Sequence, residues 1–404
     1  MSSTKVTFTN KDSHSLHGKL ELPIDQEPHN FVIFAHCFTC NKNYFAVKNI
    51  SEALTSKGFG VLRFDFTGLG ESDGEFEDSN FSGNVEDLLS AADFLEREYK
   101  APTMLVGHSL GGAAVLFAAK KIKSVKAVAT IGAPASVTHV QNLIEKHIEE
   151  IQSQGRASVN IGGRSFYIQK QFLDDLESKQ LLDILPNTEV ALLLLHSPQD
   201  TIVGIRNAEE LYLAARHPKS FISLDRADHL LQQTEDSQYT GELIGSWAMR
   251  YIDKPKTVSL QSKHDVAAYL GESGFTTHIQ SGEHRLIADE PISVGGNNFG
   301  PNPYEYVSAG LAACTSMTIQ MYARRKGWKI HSVETHIDYS KDYASDCDHC
   351  DDTTAKIDTF KRKLVIMGDL DEKQYTRLLE IADKCPVHKT LHSPTQIITT
   401  LLKK

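Results

Sequence analysis

The chain has 404 residues, of which 40% are apolar and 23% are charged, and its formal net charge is −10. This length favours two domains, and the composition is typical of a globular protein with enough apolar residues for a core. The acidic charge argues against a nucleic acid or an anionic membrane as the main partner.

The first ten residues, MSSTKVTFTN, contain neither the basic segment nor the apolar segment of a secretory signal. The longest apolar run, VALLLL at 190–195, is much shorter than the roughly 18 apolar residues that a membrane span requires. We therefore predict a cytoplasmic protein without membrane spans. Its six cysteines are expected to be reduced thiols rather than a disulfide framework.

Strand-like and helix-like segments alternate through the first half of the chain. An opening hairpin is followed by the strand FVIFA, and helical stretches separate the later strands GVLRFDF, TMLVGHS and VKAVATIGA. This order predicts an α/β domain over residues 1–252, with a mostly parallel sheet and helices on both faces. The alternation breaks at about 135–187, where we predict an inserted cap of helices and a hairpin.

Residues 253–262 are polar, include proline and show no periodicity, so we interpret them as a linker. Residues 263–404 then follow a different order of elements. We predict a hairpin, a long helix near 303–326, two long strands, another helix and a last strand at TQIITTLL (395–402). This is the pattern of an α+β module with its own core.

The segment TMLVGHSLGGAAVLFAAKK contains the pattern Gly-x-Ser-x-Gly at residues 107–111, between a predicted strand and a predicted helix. A nucleophile elbow requires this context, because its serine stands on a tight, strained turn and the glycines leave room where helix and strand approach. The N–H groups at the start of the helix also favour a developing oxyanion. We therefore predict that Ser109 is a nucleophile.

A serine nucleophile needs a base, and the base needs an acid that orients it. Asp200 follows the strand VALLLLHS, and His229 follows the next strand, SFISLDR. A single Asp or His in a loop is ordinarily a solvated side chain, but Ser109, Asp200 and His229 occur in the chain order of the α/β hydrolases. Asp225 and Asp228 are weaker candidates because they are too close in sequence to His229.

By these motifs, and by RFDFTGLGESDG at 63–74, residues 1–252 resemble the α/β-hydrolase superfamily. The resemblance implies a serine hydrolase of the carboxylic ester class that acts on a small-molecule ester or other acyl substrate. In the superfamily the loop at 63–74 is scaffold, and its glycines do not form the G-x-G-x-x-G pattern of a nucleotide site. We assign Asp65 and these glycines a structural role.

The segment FAHCFTC (34–40) has more than one interpretation. In the similar hydrolases the loop after this strand begins His-Gly, so the match implies Phe38 N–H and Leu110 N–H as the donors of the oxyanion hole. Cys37 replaces the glycine, which would distort the hole if this position requires a positive φ. Cys-x-x-Cys pairs also occur in redox and zinc sites. Because Cys37 replaces the glycine, the alternative function is a catalytically silent hydrolase domain that serves only as a binding or positioning module.

The second module contains two cysteines in different contexts. Cys314 lies on the apolar stripe of the long helix, which is typical of a core residue. That stripe consists of Val307, Leu311, Cys314, Met317 and Met321. Cys385 precedes Pro386, a residue type favoured in the first turn of a helix, and a helix N-terminus favours a thiolate. One buried cysteine and one at a helix start suit a pair that cycles between thiols and disulfide.

GPNPYEYVSAGLAACT and CPVHKTL resemble two motifs of the OsmC/Ohr family of thiol-dependent peroxidases, over about residues 262–404. The resemblance implies that Cys314 is peroxidatic, that Cys385 is resolving and that the substrate is an organic hydroperoxide. It also implies a Glu–Arg pair that supports the thiolate, for which we name Glu305 and Arg285. Family members form intertwined dimers, so we expect a homodimer through this module. We expect an external thiol reductant and neither a metal ion nor a bound cofactor.

Cys347 and Cys350 form a second Cys-x-x-Cys pair in the acidic, polar segment YSKDYASDCDHCDDTT. Such pairs serve in metal capture and redox sensing, whereas a solvated loop is the default interpretation. The first pair lies roughly three hundred residues away, which is far from the spacing of a zinc finger.

Overall fold

The computed structural model describes residues 2–161, 164–253, 260, 262–272, 274–343 and 356–401, with their side chains except at 142, 143, 342, 343 and 356. The chain divides into two compact units, Met1–Thr257 and Val258–Lys404. Within the described ranges, no helix is both long enough and apolar enough to cross a membrane.

Most strands of the first unit form one sheet. The described strands are β1 (Ser2–Thr9), β2 (Ser15–Leu22), β3 (Asn30–Ala35), β4 (Phe59–Phe64), β5 (Met104–His108), β6 (Ala127–Ile131), β7 (Arg156–Ile161), β8 (Arg164–Gln169), β9 (Ala191–His196) and β10 (Lys219–Ser223). Eight of them lie in the order β1-β2-β4-β3-β5-β6-β9-β10. β2 pairs antiparallel with β1 and β4, and the other neighbours are parallel. The predicted mostly parallel sheet is confirmed.

Helices cover both faces of this sheet. They are α1 (Phe45–Ser56), α2 (Phe81–Glu98), α3 (Leu110–Ala119), α4 (Ile148–Gln154), α5 (Lys170–Glu177), α6 (Leu181–Ile184), α7 (Arg206–Ala214) and α8 (Thr234–Ala248). The alternation of β3 divides its side chains between the two faces: Ile33 joins the cluster with α2 and α3, whereas Val32 and Phe34 join the cluster with α1 and α8. The first helix ends just before Gly58, which adopts a φ of +89°. α7 is not indicated by the sequence pattern.

The region between β6 and β9 is the predicted cap. It contains the antiparallel hairpin β7–β8, the helices α4 to α6 and a 3₁₀ segment at Val137–His147. The helix-like stretch at 137–150 is a 3₁₀ helix as far as His147 and an α-helix from Ile148 onwards. β-branched residues such as Val137, Thr138 and Val140 favour the α-helix only weakly, which is consistent with this difference.

The described residues of the second unit form two small antiparallel sheets and three α-helices. Its described elements are β11 (Val266–Leu270), β12 (Thr277–Ser281), β13 (His284–Ala288), α9 (Pro303–Lys326), β14 (Ile330–Tyr343), β15 (Lys356–Gly368), α10 (Glu372–Ala382) and α11 (Pro386–His392). β11, β12 and β13 form one sheet, and β14 pairs with β15. The predicted long helix at 303–326 is confirmed: Asn302 caps its start and Gly327, at φ +69°, follows its end.

The predicted last strand at 395–402 is wrong for the part of it that the structure describes. Residues 394–401 form no strand, and Ile397, Ile398 and Leu401 are 86%, 80% and 82% exposed. A strand requires a neighbouring strand to satisfy its backbone, and the described part of the chain places none beside this segment.

The second unit has a small core. Its described hydrophobic cluster contains four fully buried side chains, those of Ile319, Ala323, Leu378 and Ala382. The buried face of α9 consists of Leu311, Thr315, Ile319 and Ala323. Met317 and Met321 are instead 64% and 71% exposed, so most of the apolar stripe that contains Cys314 faces away from this core.

Candidate active sites

Ser109 stands at the sharp turn between β5 and α3, with φ 54° and ψ −124°. The two flanking glycines allow this geometry. A Cβ on Gly107 would lie 2.3 Å from the Gly111 carbonyl oxygen, and a Cβ on Gly111 would lie 2.4 Å from the His36 carbonyl oxygen. Both distances are far below van der Waals contact, so only glycine fits at these positions. The strained serine is the geometry of a nucleophile elbow.

The structure brings Ser109, His229 and Asp200 into one chain of hydrogen bonds. The Ser109 hydroxyl donates to His229 Nε2 over 3.0 Å, and His229 Nδ1–H donates to Asp200 Oδ2 over 2.6 Å. The other carboxylate oxygen of Asp200 accepts the N–H groups of Ile202 and Val203, each at 2.8 Å. Each side chain therefore orients the next, as transfer of the serine proton to the imidazole requires.

Asp200 is suited to stay ionised at neutral pH. Burial raises the pKa of its carboxyl, but the hydrogen bonds from His229, Val203 and Ile202 outweigh burial and hold that pKa below its usual value. An ionised carboxylate accepts the Nδ1 proton of His229 and so leaves Nε2 free to accept the serine proton. Gly132, at φ +55°, lies against both side chains, and a Cβ there would be 3.3 Å from Asp200 Oδ2.

His108 is a neighbour of the site that the sequence did not single out. Its Nε2–H donates to the His229 carbonyl oxygen over 2.7 Å, so it supports the loop that carries the imidazole. Burial, together with the nearby His229, lowers the pKa of His108 to about 3. The only sequence signal for this residue is its place between Gly107 and Ser109 in the elbow.

We expect His108→Gln to weaken the dependence of stability on pH. Unfolded His108 takes up a proton near pH 6.5, whereas the folded side chain does so only near pH 3, so the free energy of unfolding falls as the pH drops through this window. At pH 5 the loss amounts to about 2 kcal/mol. Urea unfolding at pH 7 and pH 5, followed by Trp247 fluorescence in a Trp328→Phe background, measures this loss.

The matched control for that measurement is His147→Gln, because the His147 side chain is 39% exposed and lies in the same unit. The control should keep the pH dependence of the parent protein. An equal pH dependence in His108→Gln and in the parent would contradict the assignment.

The two predicted oxyanion donors have the required freedom. Leu110 is the first residue of α3, so its N–H has no partner within the helix. In the described part of the chain, the Phe38 N–H donates to no acceptor. The Phe38 ring stacks on Phe172 of α5 with centroids 5.4 Å apart. Cys37 does not adopt a positive φ, since the positive φ of this loop, 63°, falls on Thr39, so the condition for a distortion at Cys37 is not met.

Cys37 and Cys40 form a disulfide, with their Cα atoms 5.3 Å apart. The prediction of reduced thiols is therefore wrong for this pair. That prediction rests on the scarcity of long-range disulfide frameworks in chains without an export signal. Here a tight turn, in which the Cys40 N–H donates to the Cys37 carbonyl over 3.1 Å, brings the two side chains together locally.

Asp65 has the predicted structural role. It is buried, and its carboxylate accepts the N–H of Lys42 at 2.6 Å and the N–H of Glu71 at 2.9 Å. The Lys42 ammonium, also buried, lies against the same carboxylate. Gly70 has φ +60°, and a Cβ there would lie 2.1 Å from Asp65 Oδ2. Asp65 thus joins the loop at 63–74 to the loop that carries Phe38.

In the second unit Cys314 is partly buried on α9, and Cys385 is fully buried; both are free thiols. Cys385 is the N-cap of α11, and its sulfur accepts the His388 N–H at 3.3 Å. The prediction that Cys385 lies at a helix start is confirmed. The hydroxyl of Thr315, the residue after Cys314, lies 3.7 Å from the Cys385 sulfur.

The guanidinium of Arg362, on β15, lies beside Thr315 and Cys385, and sequence reasoning missed this residue. It donates to the Thr315 hydroxyl at 3.0 Å and to the Ala382 carbonyl at 3.1 Å, and it pairs with Asp383 at 2.6 Å. The alternation of β15 contains the signal. Arg362 shares its strand face with Phe360, Leu364 and Ile366, which points an arginine towards the apolar side.

Glu305 and Arg285 are not brought together within the described chain. The Glu305 carboxylate accepts the Asn302 N–H at 2.8 Å as part of the capping box of α9. Arg285 lies on β13 opposite Gln280 and is exposed. Their role as a thiolate-supporting pair stays a prediction. Cys347 and Cys350 lie outside the described residues.

Known protein families match both units of the chain. A family model described as serine aminopeptidase, S33, matches residues 26–181, and one described as OsmC-like protein matches residues 295–400. The palmitoyl-protein thioesterase ABHD10, mitochondrial, of Mus musculus is 30% identical over 214 residues, which are 51% of this chain and 70% of that protein. Through its first unit, the chain belongs to the α/β hydrolases. Its second unit contains an OsmC-like region.

Two further relatives are informative. The esterase domain of a Rhodothermus marinus protein has a TM-score of 0.52 and 49% identity, and the match covers 62% of this chain and 99% of that domain. The ABHD10 protein of Pongo abelii is 32% identical over 179 residues, which are 43% of this chain. This chain spans only 57% of the length of that relative.

Proposed function

We propose that the first unit is a serine hydrolase that cleaves esters or thioesters of small acyl groups. The observation that carries the proposal is the hydrogen-bonded chain from Ser109 through His229 to Asp200, at a turn whose serine is only partly buried. The relatives support the type of bond that is cleaved, an ester or a thioester, because one is named as an esterase domain and others as palmitoyl-protein thioesterases.

The mechanism follows from the positions of the side chains. The Ser109 oxygen attacks the acyl carbonyl while His229 Nε2 takes its proton. The oxyanion that forms accepts the N–H groups of Phe38 and Leu110. His229 then gives the proton to the leaving alcohol or thiol, and water releases the acyl group from Ser109 by the same steps in reverse.

A narrow cavity lies beside the two oxyanion donors. Its apolar lining comes from Phe38, Phe66, Leu69, Phe76, Leu110 and Ala114. The test is turnover of short aryl esters and thioesters by the full chain. Hydrolysis by the pure protein supports the proposal, whereas folded protein without turnover favours the alternative of a silent binding or positioning module.

We also propose that the second unit reduces organic hydroperoxides with Cys314 as peroxidatic and Cys385 as resolving cysteine. Two contacts support this proposal. Thr315, the residue after Cys314, contacts the Cys385 sulfur, and the Arg362 guanidinium donates to the Thr315 hydroxyl. An open groove beside Arg362 and His388 has apolar walls that suit the organic part of a hydroperoxide. These walls are formed by Val307, Leu311, Phe360 and Leu391.

The reaction balances with one external dithiol. The Cys314 thiolate attacks the peroxide O–O bond, becomes a sulfenic acid and releases an alkoxide, which takes a proton to give the alcohol. The Cys385 thiol condenses with the sulfenic acid to form a disulfide and water. A dithiol then reduces the disulfide by exchange and leaves oxidised. This reductant and the cytosolic location stay predictions.

We propose that the chain forms a homodimer through its second unit. A unit of this length ordinarily buries a larger core than the small cluster around Ile319 and Leu378. Met317 and Met321, one and two turns after Cys314 on α9, are exposed, as are the aliphatic side chains at 397–401. A second copy that covers this face of α9 would bury Met317 and Met321 and enclose Cys314.

We expect Met317→Glu to weaken this dimer by about tenfold or more, because it places a charge in an apolar interface. Light scattering coupled to size exclusion measures the mass across a dilution series. Ile24→Glu is the matched control, since Ile24 is 60% exposed in the first unit and Met317 is 64% exposed. A wild-type monomer at micromolar concentration, or a variant as dimeric as the control, would contradict the proposal.

A further inference from the structure

The Cys37–Cys40 disulfide closes a turn that contains Phe38, one of the two predicted oxyanion donors. Phe38, whose N–H is one of the two oxyanion donors, is the residue directly after Cys37. The disulfide and the hydrogen bond from the Cys40 N–H to the Cys37 carbonyl both close the same four-residue turn. The position of the Phe38 N–H therefore depends on a covalent bond that a reductant can remove.

The turn is held in a conformation that its sequence does not favour. Thr39 is a buried β-branched residue at φ 63°, a region that such residues rarely adopt. The surrounding structure holds the turn on both sides. Arg164 of the cap donates to the Thr39 carbonyl, and the Lys42 N–H donates to Asp65. The disulfide adds a covalent link between Cys37, which precedes both attachments, and Cys40, which lies between them.

The two sulfurs differ in access. Cys37 is 5% exposed, whereas Cys40 is partly exposed. An attacking thiolate therefore reaches the Cys40 sulfur, and Cys37 is the leaving group. This asymmetry is what thiol–disulfide exchange with an external dithiol requires.

We infer that Cys37 and Cys40 form a thiol–disulfide exchange site that sets the activity of the hydrolase, with the disulfide form the more active one. This inference rests on the proposed serine hydrolase. Reduction releases Thr39 from its positive φ, and the Phe38 N–H then moves away from the oxyanion. Loss of one oxyanion donor lowers kcat more than it changes KM, because the donor acts on the charge that develops in the transition state.

The exchange balances in two steps. One thiolate of the dithiol attacks the Cys40 sulfur, the bond to Cys37 breaks, and Cys37 leaves as a thiolate. The second thiolate of the same dithiol attacks the mixed disulfide and releases the Cys40 thiolate. The dithiol is oxidised by two electrons, the protein disulfide is reduced by two electrons, and the two protons of the dithiol pass to the cysteines.

The test compares the full chain after dithiothreitol and after reoxidation with diamide, each reagent being removed before assay. Alkylation and peptide mass mapping establish the state of Cys37 and Cys40. We expect kcat for a short aryl ester, and the rate of fluorophosphonate labelling, to fall at least tenfold on reduction and to return on reoxidation. Cys40→Ser should stay at the reduced-state rate under both treatments, whereas Cys350→Ser should respond like the wild type.

Several results would overturn the inference. Equal hydrolysis rates before and after reduction contradict the inference if mass mapping shows that the Cys37–Cys40 disulfide was reduced. This result leaves the hydrolase proposal intact. A disulfide that dithiothreitol does not reduce in the folded protein contradicts the exchange site. Absence of both hydrolysis and labelling in every state contradicts the proposed hydrolase itself, and the inference with it.

Discussion

Ser109→Ala is expected to lower kcat for ester hydrolysis by about 10⁴-fold or more, because it removes the only group that forms the acyl-enzyme. The Ser109 oxygen is 3.0 Å from His229 Nε2, the position from which a base takes its proton. The variant keeps the oxyanion donors, so a small rate above the uncatalysed reaction should remain. Steady-state assay with a short aryl ester measures the change, which should appear in kcat rather than in KM.

The matched control for this variant is Ser90→Ala. Ser90 lies on α2, and its hydroxyl donates to the Glu86 carbonyl of the same helix. This substitution also removes one serine hydroxyl from the first unit, but it should leave kcat within about twofold of the wild type. Equal activity in Ser109→Ala and Ser90→Ala would show that hydrolysis does not depend on the elbow serine.

Cys314→Ser is expected to lower the rate of hydroperoxide reduction by roughly 10³-fold or more, since a serine hydroxyl does not ionise at neutral pH and a thiolate is the attacking species. In the wild type, one equivalent of an organic hydroperoxide should remove two free thiols, those of Cys314 and Cys385. The variant should retain its remaining thiols after the same treatment. Thiol counting with a chromogenic disulfide before and after the peroxide measures the difference.

Cys385→Ser separates the two thiol roles. Without a resolving cysteine, Cys314 should stop at the sulfenic acid, which a cyclic diketone traps and mass spectrometry locates. Ser90→Ala serves again as the control, and one equivalent of the hydroperoxide should remove its Cys314 and Cys385 thiols as in the wild type. Unchanged thiol counts in the wild type would make Cys314 a residue of the helix surface and contradict the peroxidase proposal.

The parts of the fold that sequence reasoning predicted are those that depend on local patterns. FVIFA and VALLLL are continuous apolar runs because β3 and β9 are buried on both faces of a parallel sheet. The capped α9 was predicted at its observed bounds because proline at its start and glycine after its end are local signals. The elbow was predictable from its Gly-x-Ser-x-Gly pattern, although only Gly107 is required by a contact within the turn, with the Gly111 carbonyl, whereas Gly111 is required by the distant His36 carbonyl.

The parts that were missed depend on contacts distant in sequence. The segment at 395–402 has the composition of a strand, but no strand of the described chain lies beside it. His108 and Arg362 donate to the His229 carbonyl and to the Thr315 hydroxyl, and these partners are distant in sequence, although the alternation of β15 does indicate which face Arg362 occupies. The chain order of Ser109, Asp200 and His229 suggested convergence, but only the folded sheet supplies the 2.6 and 3.0 Å distances.

The disulfide illustrates how a correct general rule fails locally. Six cysteines in a chain without an export signal favour reduced thiols, and this holds in the structure for Cys314 and Cys385. Cys37 and Cys40 differ because the turn between them, with Thr39 at a positive φ, brings their side chains together. Composition describes the whole chain, whereas the turn is a property of four residues.

Treatment of the full chain with a fluorophosphonate, followed by mass mapping of the modified peptide, tests most directly that Ser109 is activated by His229. We expect one phosphonyl group per chain, attached to Ser109, and none in a His229→Ala variant that keeps the wild-type circular dichroism spectrum. An adduct on a different serine, or no adduct on correctly folded wild-type protein, would contradict the account.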